Sequence, residues 1–75
     1  MVESVLLLDG QSIDSEKVRA VSLANAKQLV WGRFARTGII VHVAATATTD
    51  LQKAIVQFSQ VPAVTSVITL AIREG

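Results

Sequence analysis

Apolar residues recur along this chain in two rhythms, and the switches between them mark the elements. Val2 to Leu8 is a leucine- and valine-rich run without helical spacing, closed by the turn signal Asp9-Gly10, and it predicts a first strand. From Asp14 the period lengthens. Val18, Val21, Asn25 and Leu29 fall on one helical face, Glu16, Lys17, Arg19, Lys27 and Gln28 supply polar positions, and Asp14 or Ser15 is placed to cap, so a first helix is predicted to about Gln28. Leu29 to Arg36 reads two ways. Gly32 and the Val, Trp and Phe side chains favour a second strand, while a rival reading keeps residues 14 to 36 as one helix. Thr37-Gly38 turns into Ile39 to Ala45, whose β-branched richness is the clearest strand signal in the chain. Thr49-Asp50-Leu51-Gln52 has the form of a capping box, and Leu51, Ala54, Ile55 and Phe58 follow at i, i+3, i+4 and i+7, which predicts a second helix stopped by Pro62. Val64 to Ile72 is the last strand, with Val67, Thr69 and Ala71 on one side and Ser66, Ile68, Leu70 and Ile72 on the other.

Strand, helix, strand, strand, helix, strand is the split βαβ plan, an α+β ferredoxin-like sandwich. Right-handed crossovers then place two helices on one face of a four-stranded antiparallel sheet of order 4-1-3-2. The other face is left open, and a monomer should show polar residues there. These strands do not alternate cleanly enough for that, which implies a homo-oligomer formed through the open sheet face.

Composition narrows the chemistry. Seventy-five residues make a single domain over residues 1-75, and 51% hydrophobic against 17% charged residues is the balance of a folded protein. Without cysteine there are no disulfides, thiolate metal sites or cysteine nucleophiles. A net charge of +1 offers no strong case for nucleic acid or an anionic membrane. The longest apolar stretches fall far short of the roughly 20 residues of a membrane span, and Glu3 stands where a signal peptide needs a basic region, so a cytoplasmic protein is expected. The carboxylates at 3, 9, 14, 16, 50 and 74 have no metal-loop spacing, and no catalytic triad, dinucleotide fingerprint or phosphate loop is present. No metal, cofactor or catalytic residue is therefore expected, and activity as an enzyme is the lesser expectation.

Five residues stand out as ligand or interface candidates: Trp31, Arg33, His42, Thr46 and Thr69. His42, the only histidine, points opposite to Val41 and Val43 and so toward the open face; its plainer reading is a structural hydrogen-bonding residue. Trp31, Arg33, Phe34 and Arg36 mix rings and guanidinium groups as nucleic-acid platforms do, yet such charges also block edge-to-edge aggregation. Thr46, Thr48 and Thr49 can offer hydroxyls to a ligand or close a strand and cap a helix.

Thr37 to Val43, then Asp50-Leu51 to Phe58, then Val61-Pro62-Ala63-Val64 leading to Leu70, resembles the second half of the ligand-sensing RAM domains of Lrp/AsnC-type regulators, relatives of ACT domains. Those show a glycine hairpin, a strand, a helix and a Leu-Pro-Gly-Val step into the last strand. Here Ala63 stands in place of that glycine and no helix-turn-helix precedes. The resemblance implies a stand-alone, non-enzymatic oligomer that senses a small-molecule effector at its interface or binds protein. The same half is similar to NapD-type chaperones, which bind a twin-arginine signal peptide by sheet addition, although no acidic groove is evident around residues 39 to 48. A small dimeric α/β-barrel enzyme with an apolar cavity containing His42 is a further alternative. Heavy-metal-binding domains share the plan, but their paired cysteines are missing.

Overall fold

The apolar runs form strands and the amphipathic runs form helices in a computed structural model that describes residues 1–35 and 37–75. The order is β1 (Val2–Gly10), α1 (Ser15–Arg19), β2 (Ala26–Phe34), β3 (Gly38–Ala45), α2 (Thr48–Ser59) and β4 (Val64–Glu74). All neighbouring strands are antiparallel, in the spatial order β2-β3-β1-β4, the expected 4-1-3-2 read from the other edge. The fold is therefore the α+β ferredoxin-like sandwich.

Every second residue of the two central strands enters one core. Val2, Leu6 and Leu8 of β1 and Ile39, Val41 and Val43 of β3 are buried with Val18 of α1 and Leu51, Ala54 and Phe58 of α2. The predicted stripe on α2 is the face that packs, with Ile55 half-buried at its margin. β1 is thus buried on one face only, and its run of four apolar residues also supplies Val5 and Leu7, half-buried, to the open face. The turn after β1 comes two residues later than Asp9-Gly10, because both still pair with neighbouring strands. A Cβ on Gly10 would overlap the carbonyl oxygen of Ala63, so this close approach of two backbones admits no larger residue without movement.

The first helix is much shorter than its sequence pattern. Asp14 caps it, Oδ1 accepting from the Glu16 N–H at 2.9 Å, and Ile13 and Val18 occupy the places of a hydrophobic staple. It ends at Arg19 rather than Gln28. Lys27 and Gln28 favour a helix locally, but Ala26 to Val30 gain a complete ladder against Val41 to Ala45, and a short helix has little stability of its own to set against that. Asn25, at φ 55°, makes the turn into the strand. Gln28 then closes the helix from outside it, its Nε2 donating at 2.9 Å to the carbonyls of Val18 and Val21. β2 consequently begins at Ala26, and the single long helix over residues 14 to 36 does not form.

At α2 the capping box is not used. The helix starts two residues earlier, its N-cap is Ala47, and no side chain caps it; Thr48 instead donates to Glu74 Oε1 at 3.4 Å. The helix ends before Pro62 as expected, with Gln60 as C-cap. Ala63 then adopts φ 74°, in the left-handed region that favours glycine. A β-carbon there costs about 1–2 kcal/mol, partly offset by the lower unfolded-state entropy of alanine. Ala63→Gly is expected to raise stability by about 0.5–1 kcal/mol, read as a melting point a few degrees higher. A lower melting point would show that this turn carries no such strain.

Three register shifts interrupt the sheet, one of them between Asp9 and Gly10 of β1, where Thr65 of β4 is left unpaired. Between Val30 and Gly32 the register against β3 shifts, leaving Trp31 as the extra residue, and Gly32 accommodates the kink at φ 145°. Between Val5 and Leu6 of β1 a second shift leaves Leu70 of β4 unpaired. The alternation expected on β4 is therefore broken: Thr69 and Val67 pair with Leu6 and Leu8 on the helix-covered face, while Ala71 and Ile68 pair with Val5 and Leu7 on the open face.

Candidate functional site

The open face of the sheet gathers the residues that the core does not use. β1 contributes Val5 and Leu7, β3 contributes Ile40 and His42, β2 contributes Leu29, and β4 contributes Ile68 and Ala71, as the cross-strand pairs Leu29↔His42, Val5↔His42, Leu7↔Ile40, Leu7↔Ile68 and Val5↔Ala71 require. The bulge at Trp31 adds two aromatic rings. By shifting the register it turns Phe34, opposite Gly38, to the open face and sends Arg33, opposite Ile39, to the other. Leu29, Trp31 and Phe34 remain 62%, 57% and 58% exposed, far from the treatment that core residues receive.

Trp31 and His42 stack, with ring centroids 5.5 Å apart and planes within 1° of parallel. Such offset pairs are worth about 0.5–1.5 kcal/mol beyond area burial, so each ring holds the other in place on the surface. Beside them lies a shallow depression of about 200 Å³ lined by Glu3, Val5, Trp31, His42, Ala71 and Arg73 among others. Glu3 and Arg73 form an ion pair at 3.1 Å across β1 and β4. Polar groups thus edge the face, with Lys27 at the same end and Asp9 and Ser66 at the other, around an apolar and aromatic middle. An apolar centre with a charged rim is the anatomy of a protein interface.

The five candidate residues do not form one constellation. Trp31 and His42 meet on the open face. Arg33 reaches across the far side, its Nη2 donating to the Ile13 carbonyl at 2.9 Å, and so ties β2 to the start of α1. Thr46 closes β3 locally: its N–H and hydroxyl both donate to the Asn25 carbonyl, at 2.9 and 3.2 Å. Thr69 lies on β4, on the helix side, and is exposed. Arg36, part of the ring and guanidinium cluster in the sequence, lies outside the described residues. Leu29, Glu3 and Arg73 join the face as residues that the sequence pattern did not mark, and Phe34, named there only with the ring and guanidinium cluster, joins them; the Val-Trp-Gly sequence is the available sign of a bulge, but its effect on Phe34 depends on register.

Among the described residues no group of three or more His, Asp or Glu side chains is placed to hold a metal ion, and no helix is long and apolar enough to cross a membrane. The chain matched no protein-family model, and searches of curated proteins and of solved structures returned no match.

Proposed function

We propose that this chain is a non-enzymatic, cytoplasmic assembly module whose open sheet face packs against that of a second copy. In this reading it serves as a ligand-sensing or protein-interaction unit, with a small-molecule effector held at the interface, as the resemblance to RAM and ACT domains implies. The observation that supports it is the continuous apolar and aromatic face built by Leu29, Trp31, Phe34, Val5, Leu7, Ile40 and Ile68. Four strands about 4.8 Å apart, each roughly 30 Å long, present a flat area of roughly 550 Å² before side-chain relief. That approaches the about 800 Å² per partner of a standard interface, a sixth or so of the 4601 Å² surface of the chain.

The test is the solution mass, measured by light scattering on a size-exclusion column across a concentration series. A dimer or larger assembly that persists on dilution supports the reading. A monomer at all concentrations overturns it and leaves the exposed face to a peptide or protein partner, as in a signal-peptide chaperone.

A further inference from the structure

We propose that His42 makes the face-to-face assembly pH-dependent, closed while its imidazole is neutral and released when the ring takes up a proton; this rests on the reading of the open face as an interface between copies. Histidine is the ordinary side chain that changes charge near neutrality, and this chain holds one. Its place on the face decides what that charge does. His42 stands on β3, an internal strand, and cross-strand pairing sets it in a row with Leu29, Val5 and Ala71, all uncharged. The next row inward is Ile40, Leu7 and Ile68, also apolar, and the next row outward holds the charges of Lys27, Glu3 and Arg73.

The ring is confined there. It is already half-buried, and Trp31 is stacked on it, centroids 5.5 Å apart and planes within 1° of parallel. Lys27 and Arg73 have long stems that can carry their charges out to water at the rim, whereas an imidazole one row further in is too short to do so. A second copy laid on this face therefore takes the ring out of water. A buried cation is costly unless an anion pairs with it. Of the charged groups that face His42, Glu3 on β1 is already held by Arg73 on β4 at 3.1 Å, and Lys27 on β2 is a cation. Asp9 lies roughly 13 Å further along β1, and both helices cover the opposite face. One anion and two cations thus surround the site, and a third positive charge is disfavoured.

Separate chains leave the ring open to water, and the assembled pair resists its protonation, so the assembled form binds fewer protons. Association is then strongest at neutral and higher pH and is lost as the pH falls. A two-fold pair carries two such imidazoles, and each can change the dissociation constant by up to about tenfold per pH unit.

Sedimentation equilibrium of the unaltered chain at about pH 7.5 and about pH 5.5, at constant ionic strength, is expected to show a dissociation constant at least about tenfold higher at the lower pH. His42→Gln, neutral at both, should assemble equally at both, and circular dichroism separates release from unfolding. The ring proton resonance of His42 gives a second reading in the unaltered protein: it should titrate at lower pH in concentrated, assembled samples than in dilute ones. In a protein that assembles, three results overturn the switch and leave the interface standing. These are a dissociation constant unchanged or lower at the acid pH, a pH dependence that survives His42→Gln, and a titration midpoint indifferent to concentration. A monomer at every pH overturns the switch and the interface together.

Discussion

Phe58→Ala is expected to lower the unfolding free energy by about 3–5 kcal/mol, the usual cost of removing a buried aromatic ring. Phe58 is fully buried at the C-terminal end of the α2 stripe, in the same cluster as Leu6, Leu8, Val41 and Val43. A chain of this size has roughly 4–11 kcal/mol of stability in all, at about 0.05–0.15 kcal/mol per residue. The substitution therefore removes about a quarter or more of it. The reason for so large a share is the thinness of the helix layer: α1 is five residues long and buries Val18 alone, so α2 carries most of the cover for the sheet. Urea unfolding of the variant measures the loss, and Phe58→Leu should recover most of it by refilling the cavity. A change under about 1 kcal/mol for Phe58→Ala would mean that α2 does not pack on the sheet through this stripe.

Trp31→Glu is expected to weaken sheet-face association by roughly 30- to several-hundred-fold while the monomer stays folded. A central aromatic at an interface is commonly worth about 2–4 kcal/mol on truncation, which converts to that range at 1.4 kcal/mol per tenfold. Glutamate adds a repulsive element, since Glu3 already lines the same depression. The effect on the monomer is small by comparison, because Trp31 is more than half exposed and gives up mainly its stack on His42. Sedimentation equilibrium reads the dissociation constant. Trp31 is also the sole tryptophan of the chain, so its fluorescence in the unaltered protein should shift to the red on dilution as the ring returns to water. An unchanged dissociation constant would remove Trp31, and with it the β2 side of the face, from the interface.

The open face depends on which side chains alternate to it, and single residues such as Leu29 or Phe34 matter. Ala63, in the left-handed turn that leads into β4, lies off that face and affects stability alone.

Element type was legible in the chain wherever one local rhythm ran without competition. Ile39 to Ala45 is β-branched throughout, Leu51 to Phe58 keeps one helical stripe, and Pro62 stops that helix by its own ring; from these the order βαββαβ and the antiparallel sheet follow. Tertiary structure decided the places where local preference was outbid. Lys27 and Gln28 left the helix because the β3 ladder offered backbone partners along Ala26 to Val30. Thr49 lost its capping role because the helix began two residues earlier, at Thr48. Above all, bulges reassigned faces: the one on β2 brought Phe34 to the open side and took Arg33 to the other, and the one at Leu70 left Ala71 on the open side while taking Val67 and Thr69 to the other. A strand has a side-chain period of two, so one inserted residue inverts everything beyond it, and its position depends on pairing between distant segments rather than on the segment itself. The chain alone therefore determined that an apolar open face exists, and only the register determined which residues form it.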